Sequence, residues 1–353
     1  MAETMAQKRG VNCLKFSLLA GFLLLLQPVF SQYNFSEIDN LLTKNVKLLG
    51  NGVAALIYKD GKVIYTKELG EDFKIKTQAP VSAASNWLTA ALIMTFVDQG
   101  KLSLDDPVTK YIPIFASYSK KYITIRHCLT NTTGIEAEPG IKAFLTRKKF
   151  PSLEEEATSF AKREIERNPG DMFFFSNIGL NLAGRVLEII SKKTFDRLIQ
   201  ERLLRPLKMR TTTFVVDYDQ APNPSGGAYS TAIDYMNFLT MILNKGTFET
   251  KRILSEDAIA EMQKMQTGKA ELKYVPKACE GYSYGFGTWI MEADAKGNGT
   301  VVSCPGLFGA WNIVDYCRGY ACVIIVKKTL DEQKKDMYMA IKEIIDQQIP
   351  CKQ

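Results

Sequence analysis

The sequence predicts an α+β fold, an antiparallel sheet flanked by terminal helices with a helical domain inserted into it. Three observations carry this. Strand-like apolar patterns occur near both ends of the chain, helical periodicity dominates the middle, and an amphipathic helix is readable at each end of the folded part. Strands at both ends share one sheet, so the helices between them are an insertion.

In chain order, residues 36–48 space Ile38, Leu41, Leu42 and Val46 at helical intervals. Two β-rich runs follow, 53–58 and 62–67, joined by Lys59-Asp60-Gly61, and Asp-Gly is a strong hairpin signal. From Trp87 to Leu243 the texture is helical, with helices expected over 88–99, 153–166, 178–191, 195–204 and 232–243. Asn168-Pro169-Gly170 and the 222–227 stretch separate some of them. Strand character returns over 284–291, 300–303, 310–315 and 320–326, with turns at Gly297-Asn298-Gly299 and Arg318-Gly319. A closing helix over 330–348 places Met337, Ile341, Ile344 and Ile345 on one face, and Pro350 lies just past its end.

Ahead of these elements, Lys8, Arg9 and Lys15 precede an apolar run over residues 16–26. A membrane-spanning helix needs about 20 apolar residues, and this run is shorter. Val29-Phe30-Ser31 fits a signal-peptidase site, so residues 1–31 read as a signal peptide cleaved near Ser31. The expected mature chain is 32–353, secreted or periplasmic, with no stable membrane span. Its sheet subdomain is expected over about 32–80 and 250–353, and its helical subdomain over about 81–249.

Composition excludes several functions. With 46% hydrophobic and 24% charged residues, 24 Gly and 13 Pro, the chain is neither collagenous nor low-complexity, nor a multi-span membrane protein. The net charge of +7 is spread along the chain, and Arg147-Lys148-Lys149 is too short a block to point to nucleic acid. His127 is the one histidine, so no His-rich metal site exists and no cofactor is implied. Six cysteines follow the leader: Cys128, Cys279, Cys304, Cys317, Cys322 and Cys351. They allow 15 pairings in an oxidising compartment, among which sequence does not choose. Asn34, Asn131 and Asn298 open glycosylation sequons.

Six phrases, in order, resemble the serine β-lactamase and penicillin-binding-protein family, especially its class C and esterase-like branch. The most specific is Trp87-Leu88-Thr89-Ala90 running on to Asp98-Gln99-Gly100-Lys101-Leu102-Ser103-Leu104-Asp105-Asp106-Pro107-Val108 and Tyr111-Ile112-Pro113. Leu129-Thr130-Asn131-Thr132-Thr133-Gly134, Phe175-Ser176-Asn177, Leu204-Arg205-Pro206-Leu207-Lys208-Met209, Gly226-Gly227-Ala228-Tyr229-Ser230-Thr231-Ala232 and Tyr284-Gly285-Phe286-Gly287 complete the set. The resemblance implies a β-lactamase/transpeptidase-like architecture with a cleft between sheet and helices.

It also exposes what is missing. The family's chemistry uses Ser-x-x-Lys at a helix start, where one turn sets the amine beside the nucleophilic hydroxyl. In this register the tetrad is Ala83-Ala84-Ser85-Asn86, so the nucleophile position holds Ala83 and the lysine position Asn86. The Tyr-x-Asn phenol is lost at Phe175 while Asn177 remains. The Lys-Thr-Gly or His-x-Gly strand reads Cys304-Pro305-Gly306, keeping only Gly306, and a further family histidine falls at Asn131.

The resemblance therefore implies an exported, catalytically inactive relative whose cleft binds a small molecule or peptide bearing a carbonyl or carboxylate. Its backbone donors, near Ala83 and after Gly306, need no side chain. An alternative is a weak serine hydrolase (esterase, peptidase or β-lactamase-like) using Ser82 or Ser85, although N-capping is the ordinary role of serines at a helix start. His127 as a triad base and Cys304 as a thiol nucleophile are lesser variants of that alternative. A third reading is a purely structural secreted protein whose cleft is filled by Phe173, Phe174 and Phe175.

Overall fold

Two of the strands are apolar along almost their whole length, and both are buried throughout or nearly so. These are β1 (Val53–Lys59) and the last strand of the sheet, β7 (Tyr320–Val326). Such runs need cover on both faces. The computed structural model describes residues 33–139, 149–214, 220–306, 309–328 and 335–351. In it the strands β1, β2 (Lys62–Leu69), β3 (Ser283–Tyr284), β4 (Trp289–Ala293), β5 (Gly299–Ser303), β6 (Trp311–Asp315) and β7 form one antiparallel sheet, ordered β2-β1-β7-β6-β5-β4-β3. The Asp60-Gly61 turn joins β1 and β2, with both residues at positive φ, as a tight two-residue hairpin requires.

Helices α1 (Ser36–Lys44) and α7 (Lys335–Gln348) pack together, and both reach the sheet. Tyr65 on β2 donates to Asp39 at 3.0 Å, Tyr320 on β7 donates to Asp346 at 2.9 Å, and Trp311 on β6 stacks on Tyr338 at 4.8 Å. Lys342 and Arg318 neutralise the fully buried Asp315 at 3.7 and 3.1 Å. Helix α6 (Ala232–Leu243) lies against β1, β6 and β7.

The inserted helices assemble around α2 (Ser85–Asp98), which is buried from Ser85 through Phe96. Its apolar character on every side marks a helix with no solvent face. Its threonines bond to backbone carbonyls, Thr89 to Pro224 (2.6 Å) and Thr95 to Leu92 (2.7 Å). Helices α3 (Ile125–Leu129) and α4 (Leu153–Ala161) pack on α5 (Ile178–Ser191), which packs in turn against α2. The described residues from Phe35 onward form one compact unit.

Several sequence expectations change in detail. The helix expected over 153–166 stops at Ala161, because Glu164 accepts the Glu136 N–H and Ile165 pairs with Ile135 as a β-bridge. The 195–204 helix becomes an α-turn, Phe195–Ile199, followed by a π-turn, Gln200–Leu204. The strand expected over 284–291 is broken by Gly285-Phe286-Gly287, with Gly287 at φ +65°. The strand Met172–Phe174, paired in parallel with Glu271–Tyr274, was not foreseen. Of the cysteines, Cys317 and Cys351 are bonded, tying the β6–β7 turn to the third residue past α7, while Cys128, Cys279, Cys304 and Cys322 are buried and not disulfide-bonded. The expected signal segment 1–31, the start of the closing helix at 330–334, and Arg147-Lys148 lie outside the described residues.

Among the described residues no helix is long and apolar enough to cross a membrane.

Candidate functional site

The site begins where the chain leaves the short strand Ala79–Pro80 and turns into α2. A 3-10 turn, Ser82–Ala84, makes this junction, and Ser82 sits at φ +47°. A left-handed serine costs about 1 kcal/mol, so the junction is held by what packs on it. Ala83 lies in this turn, and Asn86 follows three residues later on the same helical face.

The residues after β5 come against this junction. Cys304 Sγ donates to the Ala83 carbonyl at 3.3 Å. Two residues on, a Cβ at Gly306 would fall 2.1 Å from the Val81 carbonyl, so glycine is required for this approach. Asn312 on β6 fixes the backbone of Cys304 from both sides, accepting from its N–H (2.8 Å) and donating to its carbonyl (2.6 Å). Tyr235 on α6 donates to the Ala84 carbonyl at 3.0 Å.

A third wall comes from the residues before α5. Asn131, at φ +56° just past α3, accepts the Ser176 N–H on its side-chain oxygen (3.2 Å) and the Phe174 N–H on its carbonyl (2.9 Å). Phe175 is half-buried, its ring 5.5 Å from Trp289 and 6.1 Å from Tyr284. Phe173 joins the same aromatic cluster, while Phe174 packs on Tyr274. Asn177 stands next in the chain, half-buried, and its side chain does not cap α5.

The structure thus brings Ala83, Cys304 and Gly306 into direct proximity. Asn131 and Phe175 join them through Tyr284, which senses both Cys304 and Asn131. No direct bond ties Asn177 to the others among the described residues. Sequence reasoning missed three supports: Tyr284, Tyr235 and Asn312. Tyr284 lies within a family phrase, and the signal that marks Asn312 is its being a lone amide in an apolar strand.

Burial holds the described thiol and phenols of the site in their neutral forms. Burial pushes the Cys304 thiol up to about 12, with the Trp87 N–H pulling the other way. A thiol neutral at that level is no thiolate nucleophile. Burial likewise raises the Tyr235 and Tyr284 phenols, each with Cys304 as a further contributor, while Asn131 opposes the rise at Tyr284. Asn131 and Tyr284 face each other, yet the geometry completes no hydrogen bond, leaving Asn131 Nδ2 and Tyr284 Oη buried and unpaired. Asn86 Oδ1 is buried and unpaired as well.

The fallback residues are otherwise engaged. Ser85 is fully buried, donating to the Ser82 carbonyl (2.6 Å) and accepting from the Ala228 N–H (3.0 Å), so its hydroxyl stitches two segments together and is not presented to a substrate. Ser82 is buried with no base against it among the described residues. His127 is not at the site; its Nδ1 lies 3.1 Å from the Thr124 N–H in a capping box. The Asn131 sequon is also corrected, since that side chain is 4% exposed and inaccessible to glycosylation in the folded protein. Among the described residues no cluster of His, Cys, Asp or Glu is arranged to hold a metal.

Comparison with known proteins identifies the family and the fold. The Beta-lactamase family model matches residues 42–345. The D-alanyl-D-alanine-carboxypeptidase/endopeptidase AmpH of Escherichia coli K12 is 22% identical, the alignment covering 90% of this chain and 91% of AmpH. Protein flp of Staphylococcus aureus MW2 is 30% identical over 46% of this chain, and the chain spans only 34% of that longer relative. Among solved structures, a β-lactamase-like protein from Bacteroides dorei DSM 17855 superposes with a TM-score of 0.80 at 27% identity, covering 89% of this chain and 98% of that one. The octameric penicillin-binding protein homologue of Pyrococcus abyssi shares the fold at a TM-score of 0.67 and 22% identity, covering 89% and 79% of the two chains.

Proposed function

Since the chain belongs to the Beta-lactamase family, we propose that it is an exported member that binds a ligand at the family's site without cleaving it. The observation that carries this reading is Ala83. It occupies the turn into α2 where the Ser-x-x-Lys pattern places the nucleophile, and the sulfur against its carbonyl is a protonated thiol. Asn86 cannot take up a proton at neutral pH, and Phe175 has no hydroxyl to relay one. Losing a nucleophile alone lowers kcat by about 10⁶, and here the base and the relay are gone too.

Binding survives such losses where the pocket's polar groups remain. Asn86 Oδ1, Asn131 Nδ2 and Tyr284 Oη are buried and unpaired, and each such group costs about 1–3 kcal/mol until a partner is supplied. A bound carbonyl or carboxylate supplies an acceptor for Asn131 Nδ2 or Tyr284 Oη, though not a donor for Asn86 Oδ1. AmpH is named for acting on D-alanyl-D-alanine peptides, which makes peptide-like molecules the class to test first. Export rests on the leader-like segment 1–31.

The test is incubation with penicillin, a fluorophosphonate and a chromogenic ester, followed by intact mass, beside a thermal-shift screen of short peptides. Unchanged mass with a ligand-dependent rise in Tm supports binding without turnover. A stoichiometric adduct, wherever it maps, refutes the reading.

A further inference from the structure

Side chains alternate along a strand, so Leu56 and Tyr58 of β1 share one face of the sheet, and the pairing of Tyr58 with Val63 adds β2 to it. Ile57 and Tyr65 are paired on the opposite face, where Tyr65 reaches Asp39 of α1. Helix α6 packs against β1 on the first face. Its residues Ile233, Met236, Asn237 and Thr240, with Asn244 just past its end, recur at helical spacing and form one stripe beside the strands.

Between this stripe, the two strands and Phe248 of the short strand Thr247–Phe248 lies a cavity of about 470 Å³. Small-molecule sites typically enclose about 300–1,000 Å³. Leu56, Tyr58, Val63, Ile233, Met236 and Phe248 make the apolar lining. Val63 stays 46% exposed there, on the edge strand of the sheet.

The same walls carry polar atoms without protein partners. Asn237 donates Nδ2 to the Leu207 carbonyl at 3.0 Å, which identifies its free atom as the acceptor Oδ1. Tyr58 Oη, Thr240 Oγ1 and the Asn244 amide make no hydrogen bond among the described residues. Unlike Asn86 Oδ1, these atoms are open to solvent, so a ligand can reach them. Glu249, the charged member of the described lining, is held at both carboxylate oxygens by Lys208 at 2.6 and 2.7 Å.

We infer that this groove is a second binding site, for a small uncharged amphipathic molecule. An apolar body covers Leu56, Met236 and Phe248, and a hydroxyl or amide head bonds to the hydroxyls and amides of the wall. Those groups are neutral and between them both donate and accept, which is what such a head offers in return. The groove stands apart from Ala83 and is independent of what that site binds.

The experiment titrates the full chain with N-phenyl-1-naphthylamine, an uncharged fluorophore with an apolar body and one N–H, and then displaces it with decanol. A saturable rise in fluorescence with micromolar affinity, reversed by decanol, is expected. Val63→Trp fills the cavity from an exposed edge position where an aromatic residue suits the strand, and should weaken the fluorophore about tenfold or more. Leu272→Trp, at a 63% exposed position on the strand Glu271–Tyr274, is the control and should change nothing. The double variant Tyr58→Phe, Thr240→Val keeps the shape of the cavity and removes two hydroxyls, so decanol should bind about threefold or more weakly. Thermal melting checks that each variant is folded. The absence of a saturable signal at micromolar concentration overturns the inference, as does equal affinity in Val63→Trp or equal weakening by Leu272→Trp. Unchanged decanol displacement in the folded double variant overturns the assignment of the polar head.

Discussion

Replacing Ser85 by alanine separates a structural hydroxyl from a catalytic one. Ser85 Oγ links the turn into α2 to the segment just after Gly227, through the Ala228 N–H at 3.0 Å and the Ser82 carbonyl at 2.6 Å. In Ser85→Ala the Ser82 carbonyl keeps a partner, since the Ser85 backbone N–H also reaches it. The Ala228 N–H loses its acceptor in a place with no solvent access. An orphaned buried donor costs about 1–3 kcal/mol, so the expected loss is about 2 kcal/mol, which lowers Tm by roughly 4 °C in a chain of this size. Ser82→Ala is the control: its hydroxyl makes no hydrogen bond among the described residues, and it should change stability by less than about 0.5 kcal/mol. Urea denaturation of both variants, with fluorophosphonate labelling of each, decides the matter. An unchanged midpoint in Ser85→Ala, or labelling of the parent protein that disappears in this variant, would refute the structural assignment.

Other outcomes follow from the same geometry. Ala83→Ser, Asn86→Lys and Phe175→Tyr together should give burst acylation by a chromogenic ester, whereas each alone should do little, because nucleophile, base and relay act as a unit; a folded triple variant that never acylates would mean that the cleft has lost the family geometry. Cys128, Cys304 and Cys322 are all pushed by burial to about 12 from an ordinary value of 9.0, so each stays protonated in the fold while ionising in the unfolded chain. Stability should therefore be full below pH 9 and fall as pH rises beyond it, by about 1.4 kcal/mol per thiol at pH 10, and iodoacetamide at pH 8 should leave all three unmodified until the protein unfolds; rapid native-state alkylation would contradict their burial. Cys351→Ser opens a loop with a sequence separation of 34, and the chain-entropy argument gives a loss of up to about 3.8 kcal/mol, measurable as a reduced urea midpoint that reductant reproduces in the parent protein.

The sequence by itself determined the sheet, because its strands are either apolar throughout or alternate with period two, and those patterns survive any detail of packing. Helices α5 and α6 were legible to the residue for the same reason, with Thr231 capping the start of α6 and Lys192 ending α5 in a left-handed turn. The short phrases that name Ala83 and Cys304, far apart in the chain, were legible too. Their contact was not, because 221 residues separate them and only closure of the sheet against α2 brings them to 3.3 Å. Tertiary structure alone decided which serine was spoken for, which cysteines paired, and that Asn131 faces inward. Each of these depends on neighbours supplied by distant segments, Ala228 for Ser85, the end of α7 for Cys317, and Ser176 for Asn131, and no local pattern in the chain encodes where such partners arrive.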